Sequence, residues 1–312
     1  MAEPGTTDEP RGGPQFIPRP AAWRPGRDAP WSTVVGDHPP ALDLDDVRRV
    51  FPPDRRGMRS PVADTGAAPS AVLVAFYMGT GGSEPVLGGG SGGEEPLADP
   101  PPHGDMTTGS LPSGQALVGE SRSGERLAVE PGAEELYVIL TRRSWGLRTH
   151  AGEVAFPGGR CELGESTAEA AVREAWEETS LDPDSVELLG ELDHLTTVTR
   201  RAYIVPQVAV LAGRPELRAN PGEVDRVLMV PVSELLDPEI FSEEQWGDGP
   251  RGHPVYFFAL RGDTIWGATA AMLRQCLSLL VGADPGPLED LDPARTMPPG
   301  YRVEADYEGR VV

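Results

Sequence analysis

Between Thr167 and Thr179 the apolar positions return every 3.6 residues. Ala168, Ala171, Val172, Ala175 and Thr179 share one helical face, and Glu174, Glu177 and Glu178 crowd the face beside it. That period predicts an amphipathic helix whose apolar stripe packs on a sheet. Ser166 followed by Glu169 has capping-box spacing, which starts the helix at Ser166. Other segments carry strand patterns: "AVLVAFY" (71–77), "ELYVILTRR" (135–143), "VELLGELDHL" (186–195) and "AYIVPQVAVL" (202–211). "GEVAFPGG" (152–159) reads as a strand running into a loop, and "VDRVLMVPVSELL" (224–236) as a strand running into a short helix. "VYFFALRGDTIWG" (255–267) reads as one strand, "ATAAMLRQCLSLL" (268–280) as an amphipathic helix and "DLDDVRRVFP" (43–52) as a short helix.

This alternation predicts a single α/β domain over residues 41–282. Residues 1–40 are Pro/Gly-rich with little periodicity and are expected to form a disordered arm. The Gly-rich stretch 78–114 has linker composition and is expected to be a disordered insert inflating a loop, at small entropic cost. Residues 283–312 form a polar, Pro-rich tail.

Composition adjusts the picture in three ways. The 38 Gly and 34 Pro of the 312 residues, with 6% aromatics, leave less folded mass than the length suggests. A formal charge of −22 removes the basic footprint that phosphate-backbone binding needs, so no nucleic-acid partner is expected. All 27 basic residues are Arg, which excludes Schiff-base chemistry and a P-loop Lys. Two cysteines, Cys161 and Cys276, make neither a disulfide framework nor a zinc site by themselves. With no spanning apolar run and no signal-peptide pattern, no membrane partner is expected and the expected location is cytoplasmic.

The chemistry concentrates at the helix. Like charges at i,i+3 and i,i+4 repel by roughly a few tenths of a kcal/mol per pair. The glutamate trio is therefore either a solvated acidic face or the seat of a cation. "FPGGR" just before the helix supplies two glycines whose backbone can approach a ligand closely, with carbonyls as hard donors. Three carboxylates and a carbonyl suit Mg²⁺ or Mn²⁺, not zinc. Glu169 and Arg173 make an i,i+4 pair that would hold the Arg near the carboxylates.

These residues resemble the signature of Nudix hydrolases: Gly, five residues, Glu, seven residues, then Arg-Glu-aliphatic-x-Glu-Glu-x-Gly-aliphatic. Gly159, Glu165, Arg173, Glu174, Ala175, Glu177, Glu178 and Leu181 stand at the matching positions. Ser180 departs from the pattern, occupying the position of the Gly that ends the helix in a left-handed conformation, and should cost roughly 1 kcal/mol there. The preceding "LTRRSWGLRTHAGEVAFPGGR" (140–160) is similar to the coenzyme A pyrophosphatase subgroup, as are "NPGEVDRVLMVPVSELL" and "IWGATAAML". The resemblance implies a Nudix fold, with a mixed sheet sandwiched between helices. It also implies metal-dependent hydrolysis of a nucleoside diphosphate linkage, with CoA or acyl-CoA cut to 3′,5′-ADP and (acyl-)4′-phosphopantetheine.

On that resemblance Glu174 and Glu178 are the main metal ligands, with Glu177 beside them or acting through water. The carbonyl of Gly158 or Gly159 completes the shell. Arg173 orients Glu165 or one of the helix trio. The general base stays open between Glu177 and Glu153. Arg142, Arg143, Arg148 and Arg160 are candidates for the substrate phosphates. His150 is a phosphate ligand, a base or a structural residue in equal measure. Cys161 reads as an ordinary loop residue, and Trp145 and Trp266 as packing residues or, less simply, adenine platforms. A homodimer is left open. Alternatives are a Nudix hydrolase of ADP-ribose, NADH or a nucleoside triphosphate, and a non-catalytic Nudix binding module. The second would be marked by loss of the glutamates, and all three are present.

Overall fold

The computed structural model describes residues 12–15, 17, 19–36, 39–80, 133–197, 201–247 and 253–286, and the backbone of 85–87. In chain order the elements are β1 (Trp23–Pro25), α1 (Ser32–Val35), α2 (Leu44–Val50), β2 (Ala68–Thr80), β3 (Pro85–Leu87), β4 (Glu134–Arg143), β5 (Val154–Ala155), β6 (Gly158–Arg160) and α3 (Thr167–Thr179). There follow β7 (Val186–Glu191), β8 (Leu195–Thr196), β9 (Ala202–Leu211), β10 (Val224–Pro231), α4 (Val232–Leu235), β11 (Phe241–Trp246), β12 (His253–Leu260), β13 (Asp263–Trp266) and α5 (Gly267–Leu280).

The main sheet runs β3-β10-β4-β2-β9-β7, with β5, β6 and β8 attached to β4, β2 and β9. It is mixed: β2 and β9 are parallel from Ala68↔Ala202 to Phe76↔Val210, and the other pairs are antiparallel. Its central strands are near-continuous apolar runs because both faces are covered. One face, with Leu73, Ala75, Tyr77, Tyr137 and Ile139, packs on Ala171 and Ala175 of α3. The opposite face, with Val74, Phe76, Val138 and Leu140, joins a core with Leu273 and Leu277 of α5 and Phe258 of β12. The expected sheet between helices is therefore present. Among the described residues no helix is long and apolar enough to cross a membrane.

Three expectations need correction. The stretch read as one strand over 255–267 is a hairpin, β12 and β13, turning at Arg261–Gly262. It belongs to a second sheet, β1-β11-β12-β13, that was not anticipated. The insert does not begin at Met78: Met78, Gly79 and Thr80 still pair with Leu136, Glu135 and Glu134 of β4, and residues 85–87 pair with β10. The rest of 78–114 lies outside the described residues.

The arm 1–40 is also built into the fold from Gly12 to Gly36, while residues 1–11 lie outside the described residues. Gly12 donates to the Leu260 carbonyl (2.7 Å) and Gln15 Nε2 to Asp263 Oδ1 (3.1 Å), at one edge of the second sheet. At the other edge Trp23–Pro25 pair with β11, and Arg19 pairs with the buried Glu244. Trp31 is fully buried, its indole N–H donating to the Leu236 carbonyl (2.8 Å). A Pro-rich segment without periodicity can be ordered by such point anchors, which leave no pattern along the chain.

Candidate active site

Helix α3 begins as its sequence dictates: Ser166 Oγ accepts from the Glu169 N–H and Glu169 Oε2 from the Ser166 N–H, closing the capping box. Glu169 is thereby used at the cap and does not hold Arg173, contrary to the expected i,i+4 pair. The buried face is Ala170, Ala171, Ala175, Glu178 and Thr179. Ala168 and Val172 lie at its margin, so the stripe is rotated and carries Glu178 inward with it. The helix ends at Ser180, which adopts φ 58° and ψ 24°. This is the left-handed position the signature assigns to Gly. Ser180→Gly is expected to stabilise the protein by about 1 kcal/mol, a rise of roughly 2–4 °C in Tm. Thermal unfolding checks this, and an unchanged or lower Tm would show that the Ser hydroxyl compensates for the backbone.

Arg173 is the hub of the glutamates. Its Nε and Nη2 donate to Glu165 Oε1 (2.8 Å) and Oε2 (3.0 Å), and its Nη1 to Glu174 Oε1 (3.0 Å) and Glu177 Oε2 (3.1 Å). Nη2 also reaches the Arg160 carbonyl (3.1 Å), tying the helix to β6. These partners raise the Arg173 pKa, and the same hydrogen bond from Arg173 holds Glu165 below the usual carboxylate range.

Glu178 is 3% exposed. Burial pushes its carboxyl up to about 7, against the Gly158 N–H that donates to Oε2 (3.2 Å) and Arg143 Nη1 at 3.9 Å from Oε1. Burial also raises Glu174, despite Arg173. Glu177 is the more exposed member of the trio. The Gly-Gly turn is sterically required: a Cβ on Gly158 would collide with the Ala71 carbonyl, and one on Gly159 with the Glu174 carboxylate.

Among the described residues, no three His, Cys, Asp or Glu side chains converge tightly enough to enclose an ion. The chemistry of the donors nevertheless fits a hard divalent cation. Beyond burial, the charges of Glu174 and Glu223 make the buried Glu178 harder to ionise, and those of Glu177 and Glu223 do the same to the half-buried Glu174. A cation relieves both that repulsion and the burial cost. The missing side chain at Gly159 leaves room for oxygen ligands from backbone and carboxylate together.

The arginines separate by strand period. Successive residues of β4 face opposite sides, so Arg143 points toward α3 and Arg142 away from it. Arg142 is buried and committed to Asp225 (Nε, 2.9 Å) and Asp263 (Nη1, 3.3 Å). This corrects its expected role at the substrate. Arg143 keeps a buried Nε without a partner among the described residues. Arg160 is exposed and meets the site through its carbonyl, and Arg148 is exposed in the loop after β4. His150, with φ 55°, shares a hydrogen bond with Glu153 (Nδ1 to Oε2, 2.9 Å), which raises the imidazole pKa. Trp266 packs against Phe257 and Trp246, so its expected alternative as an adenine platform is set aside. Trp145 lies under the Arg142 guanidinium (5.7 Å). Cys161 is a half-buried loop residue whose thiol pKa burial raises.

Two residues escaped the sequence reading. Glu223, in the turn before β10, adds its charge to those that raise Glu174 and Glu178. Its segment, "NPGEV", signals a turn, but nothing local says that the turn lands against the end of α3. Trp176 lies on α3 itself, between Ala175 and Glu177, and is exposed.

This fold and this glutamate helix define a class. A NUDIX domain family model matches residues 127–247. An uncharacterized Nudix hydrolase NudL from Photorhabdus laumondii is 38% identical over 140 residues, spanning 44% of this chain and 74% of the relative. Nudix hydrolase 3 of Caenorhabditis elegans is 33% identical over 164 residues, spanning 46% and 66%. A solved MutT/nudix family protein from Enterococcus faecalis is more distant, at 15% identity and TM-score 0.35 over 72% of this chain and 67% of that one. The chain belongs to the Nudix family. It is a Nudix pyrophosphohydrolase acting on nucleoside diphosphate derivatives, in a family that generally uses divalent metal ions.

Proposed function

We propose that this enzyme cleaves the diphosphate of CoA or acyl-CoA, releasing 3′,5′-ADP and (acyl-)4′-phosphopantetheine, with Mg²⁺ or Mn²⁺ held on α3. The observation that carries the reading is the placement of segment 140–160. Its residues resemble the CoA pyrophosphatase subgroup, and they run from β4 to β6 so that Arg143 stands beside Glu178 and the Gly158–Gly159 turn beside both buried glutamates.

Glu174 and Glu178 would hold the ion, with Glu177 beside them and the carbonyl of Gly158 or Gly159 completing the set. A divalent ion bound there supplies neutralisation of the diphosphate charge and a more acidic water. Arg173 is a positioning residue: it fixes Glu174 and Glu177 while Glu165 anchors its other edge. Arg143 has guanidinium capacity left for a phosphate oxygen, with Arg148 and Arg160 at the exposed rim. Glu177, or Glu153 oriented by His150, takes the proton from the attacking water. The work is positioning and electrostatics, with no covalent intermediate required.

Chromatographic product analysis tests this directly. The protein is incubated with CoA, ADP-ribose and NADH in parallel, each with Mg²⁺, Mn²⁺ or chelator. Metal-dependent 3′,5′-ADP from CoA is the expected result. Cleavage of ADP-ribose or NADH with CoA untouched would keep the Nudix chemistry and overturn the CoA assignment.

A further inference from the structure

Three exposed indoles stand on this molecule, and two are covered. Arg19 lies over Trp23 (4.0 Å) and Arg142 over Trp145 (5.7 Å). Trp176 is the most exposed of the three at 54%, and among the described residues no ring or guanidinium packs on it. Its indole face is therefore open to a stacking partner on the helix that carries the glutamates.

Trp176 also lines an open surface cleft of about 390 Å³, together with Glu177, Ser180, Asn220 and Glu223. That volume is within the usual range of small-molecule sites, about 300–1,000 Å³. The walls are fixed before any ligand arrives. Arg218 N–H donates to the Thr179 carbonyl (2.8 Å) and Asn220 N–H to the Glu178 carbonyl (2.9 Å), strapping the loop to the helix end. Asn220 in turn receives the N–H groups of Glu223 (3.0 Å) and Val224 (2.8 Å) on its carbonyl and that of Gly222 (3.2 Å) on its side chain. The Glu223 carbonyl accepts from Ser144 (2.8 Å), next to Arg143. The cleft thus borders Glu177 of the trio, and its Glu223 wall is tied by backbone to the residue after Arg143.

Its chemistry selects among the parts of a nucleoside diphosphate derivative. Two carboxylates, Glu177 and Glu223, repel a phosphate and penalise an alkyl chain. An indole face beside hydrogen-bond acceptors favours a flat, uncharged ring that carries N–H donors. We propose that Trp176 is the platform on which the adenine of the substrate stacks, with Glu223 and Asn220 placed to accept from its amino group. The inference rests on the site turning over an adenine nucleotide, and it holds for CoA and ADP-ribose alike.

Isothermal titration of the Mn²⁺-loaded full chain with ADP, pyrophosphate and 4′-phosphopantetheine tests it without turnover. A failure of the CoA assignment therefore cannot be confused with a failure of this one. Trp176→Ala is expected to weaken ADP about tenfold and pyrophosphate by less than about twofold, as loss of one stacked base requires, with Trp176→Phe recovering most of the loss. Unchanged ADP affinity in Trp176→Ala would overturn the proposal. So would parallel weakening of ADP and pyrophosphate, or a loss confined to 4′-phosphopantetheine.

Discussion

Glu178→Gln is expected to lower kcat by about 10³-fold or more, the scale of removing a central electrostatic group, while leaving the fold intact. The substitution keeps the volume and the oxygen that accepts from Gly158, and it removes the charge. Its stability effect has a definite sign. Burial pushes the carboxyl up to about 7 in the native state, from an ordinary value of 4.5. The native state therefore holds a proton that the unfolded chain releases. Without metal, the stability tied to this group is fully present below pH 4.5 and is lost as pH rises to about 7, by roughly 3 kcal/mol in all. Glu178→Gln has no proton to lose. In chelator at pH 8 the variant should be the more stable protein by urea denaturation, and at pH 4.5 the advantage should vanish. A variant less stable than wild type at pH 8 would show that burial is not what strains this carboxylate.

Trp31→Ala should cost about 3–5 kcal/mol, the usual loss for a fully buried aromatic. Its ring meets Phe241 edge-on (5.2 Å) and Phe258 in a stack (6.0 Å), joining the N-terminal segment to the second sheet. The truncation opens a cavity among them and leaves the Leu236 carbonyl without its indole donor. Denaturant unfolding with an unchanged m-value would report it. A loss below about 1 kcal/mol, far under the cavity cost, would mean that the segment is only loosely seated.

Trp31 also marks where sequence reading stopped. Helix α3 was legible to the residue in its bounds, because its cap and its left-handed end are local, though its packed face is rotated to carry Glu178 inward. So was β9, a buried run with a clear start and end. The second sheet was not, since its N-terminal strand has three residues and is held by pairing with β11, more than 200 positions along the chain. The hairpin at Arg261–Gly262 was hidden by apolar residues on both sides of a turn that only its Gly signals.

Within the site, spacing brought out Glu174, Glu177, Glu178 and the Gly pair, and the signature added Arg173 and Glu165, because all share one helix and the turn before it. Arg142 and Arg143 look equivalent as neighbours, yet strand alternation sends one to Asp263 and the other to Glu178. Applying period two from Leu140 onward would have separated them. Glu223 reaches the glutamates only through the docking of its turn on the end of α3, which no local pattern encodes.

The proposed role of the crowded glutamates of α3 is to hold a divalent cation. Calorimetric titration of Mn²⁺ into wild type and Glu178→Gln at pH 8 tests it most directly. Saturable binding to the wild type, accompanied by a raised Tm, with both signals lost in Glu178→Gln, is the predicted result. Equal binding by the two proteins, or none by either, would contradict it and return the acidic face to solvent.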